Sequence, residues 1–194
     1  MKLKQTPSQT VGPFFAYGLT PKQYSYDFPN AFTPDIAGDQ ARGEHIMLAG
    51  RVFDGAGKVV NDALLEIFQA DADGRYAESA AQIGASGFTG FGRVGTGTDP
   101  DSRYIVQTVK PGATDGAAPH VDVILTMRGM LNHLFTRIYF DDETAANAED
   151  PVLQSVPAER RNTLLARRQV LDGRVIYHFD FYMQGAQETV FFDL

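Results

Sequence analysis

The residues best suited to chemistry in this sequence are His120, Asp122 and Tyr76. His120-Val121-Asp122 lies in an apolar run that reads as a strand, where residues two apart project from one face. An imidazole and a carboxylate on one face can converge on a single cation. A lone His-x-Asp is a weak signal, and by spacing alone an ordinary strand pairing is the favoured reading. Tyr76 ends a stretch from Leu64 to Arg75 that reads as a buried strand running into a turn. Of the other histidines, His45 precedes a strand and is expected to face solvent, and His133 lies in a turn. His178 alternates with a core face and reads as structural. The acidic pair Asp71 and Asp73 before Gly74 looks like the start of a calcium loop, but the later acidic ligands are absent, which favours a plain turn. No serine sits in a Gly-x-Ser-x-Gly elbow, and the stretch Gly84–Gly97 contains no phosphate-binding Gly-Lys-Ser/Thr. With no cysteine, disulfides, zinc-thiolate sites and cysteine nucleophiles are excluded.

The elements that must position these residues are mostly short strands. The runs Ile46–Phe53, Ala63–Gln69, Arg103–Val109, His120–Met127, Leu134–Phe140, Arg174–Tyr182 and Glu188–Phe192 have β-type patterning and are bounded by turn signals such as Asp54-Gly55, Pro111-Gly112 and Asp172-Gly173. Gly84–Gly97 reads as too glycine-rich for a helix interior. One short helix is expected over 157–168, with Pro157 in its first turn. About seven strands and one helix predict an all-β fold of β-sandwich type. Residues 1–45 carry five of the ten prolines and scattered aromatics without a period. They are expected to form an extended N-terminal arm lying on its own domain or a partner, with the sandwich spanning 46–194.

Composition narrows the function classes. The apolar fraction of 43% supports a real core, and a charged fraction of 21% argues against global disorder. A formal net charge of −7 disfavours nucleic acid and anionic membranes as partners. The basic pairs Arg160-Arg161 and Arg167-Arg168 read as a solvated helix face. The start of the chain lacks a signal-peptide core and no run approaches the ~18 apolar residues of a membrane span. A cytoplasmic protein is expected.

Four blocks carry a more specific signal. They are Thr6-Pro7-Ser8-Gln9-Thr10-Val11-Gly12-Pro13-Phe14-Phe15; Glu66-Ile67-Phe68-Gln69-Ala70-Asp71 with Gly74-Arg75-Tyr76; Tyr104 with Thr108-Val109-Lys110-Pro111-Gly112; and Phe179-Asp180-Phe181 with Gln184-Gly185 and Glu188–Asp193. In this order, over nearly the whole chain, the sequence resembles the intradiol ring-cleavage dioxygenases. The resemblance implies their β-sandwich and a ferric site of two tyrosines and two histidines. Tyr76 matches the first tyrosine and His120 the first histidine. Asp122 stands where the second histidine belongs, Ala117 and Ala118 replace an Arg-Pro pair, and no tyrosine lies between Gly112 and His120. Two remaining ligands hold a hard Fe(III) poorly, so Tyr76, His120 and Asp122 are read as vestigial metal-site positions. Within the family this departure matches the iron-free α chains, which pair with iron-bearing β chains.

The resemblance then implies that Fe(III) is held by a β chain, that αβ pairs associate further, and that this chain helps form the pocket for a small aromatic substrate and O2. The implied reaction is intradiol cleavage of protocatechuate to 3-carboxy-cis,cis-muconate, feeding the β-ketoadipate route. No catalytic residue is expected here. The implied substrate-binding residues are Thr10, Gly12, Pro13 and Arg128. Gly12 permits close backbone approach to a ring, Pro13 offers a rigid face, and Arg128 suits a carboxylate. Read alone, Thr10–Pro13 is a capped turn and Arg128 a hairpin-turn arginine. Two further readings remain at this level: a self-sufficient intradiol catechol dioxygenase using Tyr76, His120, Asp122 and His133, and a non-catalytic transthyretin-like binding module.

Overall fold

Alternation of apolar residues builds the sheet. In the strand from His120 to Thr126, Val121, Val123 and Leu125 are buried, whereas Asp122, Ile124 and Thr126 face a half-open outer surface. The computed structural model describes residues 3–12 and 14–193. Its strands are β1 (His45–Gly50), β2 (Val52–Phe53), β3 (Leu64–Gln69), β4 (Phe91–Gly95), β5 (Tyr104–Val109), β6 (His120–Thr126), β7 (Leu134–Phe140), β8 (Leu165–Leu171), β9 (Arg174–His178) and β10 (Phe181–Tyr182). Eight of them form one sheet in the order β4-β3-β6-β7-β8-β9-β1-β5, and β10 pairs with β2 in a second.

The large sheet folds on itself. Strands β4, β3, β6 and β7 are joined antiparallel, and β7 meets β8 in parallel through only two pairs, Tyr139 with Leu165 and Phe140 with Ala166. This short seam lets the two halves face each other over a common core. Leu65, Ile67, Val123 and Ile138 come from one half; Leu48, Tyr104, Val106 and Tyr177 come from the other. The result is the expected all-β sandwich, in a nearly closed sheet with few helices.

Several expected boundaries are corrected. The helix over 157–168 is a 3-10 helix, Ala158–Leu164, which passes directly into β8. Leu165–Arg168 are therefore strand. Arg167–Leu171 pair with β9 across the turn at Asp172 and Gly173, whose φ values are 48° and 77°. Positive φ at both central residues suits a tight hairpin and overrides the local helix preference of Leu, Ala and Arg. The basic pairs do not line one helix face. Arg161 bonds Gln154 and the Val156 carbonyl, Arg160 bonds the Glu188 carbonyl, and Arg168 pairs with Glu44. Glu188–Phe192 is an extended tail joined to β7 by a single bridge between Phe192 and Phe135, not a ladder strand. The Gly84–Gly97 stretch holds the end of a short helix, α1 (Ala80–Ser86), and all of β4. Gly92 is needed in β4 because the arm crosses it: a Cβ there would come 2.7 Å from Ile36 and 2.8 Å from the Thr33 carbonyl.

The N-terminal segment is tied down in steps. Ile36, Ala37 and Ala41 belong to the core, and Asp35 bridges to Gln107. Further out, Phe14, Tyr17, Tyr24, Tyr26 and Phe28 form a chain of ring contacts, with Phe14 largely exposed. Among the described residues no helix is long and apolar enough to cross a membrane.

Candidate functional site

The outer face of β6 and β7 carries a closed circuit of polar groups. Antiparallel register sets Asp122 opposite Arg137 and His120 opposite Tyr139. The Arg137 Nε donates to Asp122 Oδ1 at 2.9 Å, and the other Asp122 oxygen lies 3.7 Å from His120 Nε2. His120 Nδ1 lies 2.7 Å from the Ala118 carbonyl. A carbonyl only accepts, so Nδ1 carries the proton. The Ala118 N–H donates to Asp150 Oδ2 at 2.9 Å, and the Tyr139 hydroxyl donates to Asp150 Oδ1 at 3.0 Å. Asp150 also caps a short helix, α2 (Pro151–Ser155), by accepting from the Leu153 N–H at 2.7 Å.

Electrostatics hold this circuit in one state. Burial acts to raise the Asp122 carboxyl, but hydrogen bonding and charge from His120, with the Arg137 guanidinium, together keep it below the usual carboxylate range. Burial pushes the Tyr139 hydroxyl up and outweighs the pull of Arg137, so the phenol stays protonated and can donate to Asp150.

Tyr76 approaches the same face without joining the circuit. Its ring stacks on Phe68 with centroids 4.9 Å apart, and Phe68 is the register partner of Asp122. Tyr76 is itself exposed. Among the described residues no group of three or more His, Cys, Asp or Glu is placed to hold a metal ion. The donor set does not fit Fe(III): one imidazole and one carboxylate converge, and the carboxylate is already engaged by a guanidinium. His133 packs edge-on to Phe135 in the turn before β7, and His45 and His178 are exposed on other strands. None adds a ligand.

Of the second group of expected site residues, Thr10 is brought against the residue that follows Arg128. Thr10 Oγ1 accepts a hydrogen bond from the Gly129 N–H at 2.8 Å, joining the arm to the turn after β6. Beside it the Arg128 side chain, 57% exposed, pairs with Asp62. A Cβ placed on Gly12 meets nothing within 4 Å. Pro13 lies outside the described residues. This corner sits at the opposite end of β6 from His120, roughly 20 Å away at the rise of a strand. The two groups are therefore separate sites on one strand.

Arg137, Tyr139 and Asp150 were not singled out from sequence. Asp150-Pro151 is a helix-start signature that points to a capping carboxylate. Arg137 becomes visible only once the β6–β7 register is known.

Comparison with known proteins agrees with the geometry. A family model described as Dioxygenase matches residues 22–185. A protocatechuate 3,4-dioxygenase alpha chain from Burkholderia cepacia is 62% identical, covering 99% of this chain and 98% of that one. The beta chain from the same organism is 34% identical, over 76% of this chain and 67% of that one. Among solved structures, the dioxygenase domain of a carbohydrate-binding fusion protein from Streptomyces sp. SirexAA-E has a TM-score of 0.61 at 24% identity, covering 94% of this chain and 100% of that one. A chain that matches this family along most of its length, with the sandwich in place, belongs to the intradiol ring-cleavage dioxygenases.

Proposed function

We propose that this chain is the iron-free α subunit of a cytoplasmic protocatechuate 3,4-dioxygenase. It pairs with a β chain that holds Fe(III), and the αβ pairs associate further. The observation that carries this reading is the hydrogen bond between Thr10 and Gly129, which holds Gly12 and Arg128 on one exposed corner while the metal-site end of β6 is closed by its own ion pair. A subunit that has lost ligands but keeps an arm and a cation on display is suited to completing a neighbour's pocket. Its similarity to named α chains, with a β chain as a more distant relative, supports the same division of labour.

In the assembled enzyme, the bond between the two hydroxyl-bearing carbons of protocatechuate breaks and both atoms of O2 enter the product, 3-carboxy-cis,cis-muconate. The metal chemistry belongs to the β chain. This chain's part is positioning. Arg128, displayed beside Asp62, offers the substrate carboxylate a charge-assisted partner, and the arm at Thr10, Gly12 and Pro13 walls the ring. Arg128→Ala in the complex is expected to raise KM for protocatechuate about tenfold, the low end for loss of a hydrogen bond to a charged group. KM for catechol, which lacks the carboxylate, should stay unchanged in the same oxygen-uptake assay.

Co-expression tests the assignment directly. With an iron-bearing β-type chain, a coloured complex that consumes O2 on protocatechuate should co-purify. Alone, the chain should carry substoichiometric iron and show no turnover. Stoichiometric iron with tyrosinate charge-transfer absorption in the lone chain, or no complex with any such partner, overturns the reading.

A further inference from the structure

We propose that Arg137 is a built-in substitute for a metal ion: its guanidinium is the cation bonded to the Asp122 carboxylate on the outer face of β6, and its charge keeps metal ions from binding Asp122 and His120 together. This rests on reading the chain as the iron-free member of its pair.

The geometry separates this role from that of an ordinary surface ion pair. His120 keeps the pose of a ligating histidine. Its Nδ1–H is spent on the Ala118 carbonyl at 2.7 Å, the kind of bond that in metal sites leaves the other nitrogen directed at the ion. Nε2 is aimed onto the sheet face, where it meets Asp122 at 3.7 Å. Asp122 divides its two oxygens, one toward His120 and the other accepting from Arg137 at 2.9 Å. An imidazole and a carboxylate on alternate residues of one strand are a competent pair of donors for a divalent ion. What engages the carboxylate of that pair is Arg137, directly across the ladder from Asp122.

The guanidinium is also fixed in place. Its side chain is 26% exposed, so it is not a freely swinging surface arginine. On the same strand Tyr139 is completely buried and anchored to Asp150, which in turn holds the backbone at Ala118. The contacts run from Arg137 through Asp122, His120, Ala118 and Asp150 to Tyr139, and close through the β7 backbone that carries both Arg137 and Tyr139. A cation arriving between His120 and Asp122 would have to displace a like charge that is covalently tethered and locally saturating, an effective concentration no free ion matches.

Removal of that charge should uncover a site. The probe is Co2+ alone, titrated into the full chain at neutral pH and followed by calorimetry and visible absorption. The wild-type chain should bind weakly or not at all at this face. Arg137→Gln should bind Co2+ at least roughly 100-fold more tightly, as expected when a tethered cation is taken from two donors. Arg137→Met, which fills similar space without polarity, should show the same gain and guards against a folding artefact of one variant. Arg137→Lys keeps the charge and should stay at the wild-type level. His120→Ala added to Arg137→Gln should abolish the gained binding. If neither neutral variant gains affinity, or if Arg137→Lys gains as much as Arg137→Gln, the assignment of Arg137 fails while the iron-free reading stands. Stoichiometric iron in the wild-type chain as isolated would instead sink that reading itself.

Discussion

Gly12→Val in the assembled enzyme is expected to lower kcat/KM for protocatechuate by about 100-fold while iron content stays unchanged, the scale of effect for displacing a bound reactant by about 1 Å. The expectation follows from what Gly12 lacks. An added Cβ meets nothing within 4 Å in this chain, so a larger side chain has no steric cost to the isolated subunit. Two residues away Thr10 is pinned to Gly129, and the Gly12 carbonyl accepts from the Phe15 N–H at 3.1 Å. The arm therefore cannot simply swing aside to relieve a new contact. Under the proposed function, what the added methyl groups strike is the partner's pocket or the ring it holds. Steady-state oxygen uptake, with metal analysis and the visible spectrum of the complex, checks the result. Unchanged turnover would remove Gly12 from the pocket, and loss of iron or of the complex would move it to the docking interface.

The two ends of β6 differ in what their side chains meet. At one end Asp122 is bonded to Arg137 and lies 3.7 Å from His120. At the other, the strand runs into the Arg128-Gly129 turn that meets the arm. If two related chains share one pocket through such corners, the metal end of one copy is free to change as long as the corner survives. Under the proposed function, that division accounts for strong resemblance along the chain beside an altered ligand set.

How much of this was legible in the sequence differs residue by residue. Val121, Val123 and Leu125 announce β6 because burial on one face imposes a period of two. β8 gives no such signal. From Arg167 to Leu171 every residue is exposed, so no alternation marks it as a strand. Only its pairing with β9 around the Asp172-Gly173 turn makes it one. Thr10 and Arg128 were named through the family resemblance, but the bond from the Gly129 N–H to Thr10 was not legible, since it spans 119 residues. Arg137 was hidden for a related reason. Its role depends on the cross-strand register, which one strand's sequence does not contain.

Asp150→Ala should be the most destabilising single change in the circuit, costing roughly 4 kcal/mol, since buried unsatisfied donors cost about 1–3 kcal/mol each and are not fully additive. Asp150 is completely buried and accepts from three donors: the Ala118 N–H, the Leu153 N–H and the Tyr139 hydroxyl. Alanine orphans all three and uncaps the Pro151–Ser155 helix. Asp150→Asn should cost about half as much, because an amide offers one oxygen and turns its NH2 toward one of the backbone donors. Tyr139→Phe should cost least, about 1 kcal/mol, since both backbone bonds to Asp150 remain. Against a typical total of about 5–15 kcal/mol, the alanine variant stands near the edge of folding. Urea denaturation of the three variants tests the order. Equal midpoints for Asp150→Ala and Tyr139→Phe would show that the backbone bonds at Ala118 and Leu153 contribute nothing, and that the circuit is held by its charged pair alone.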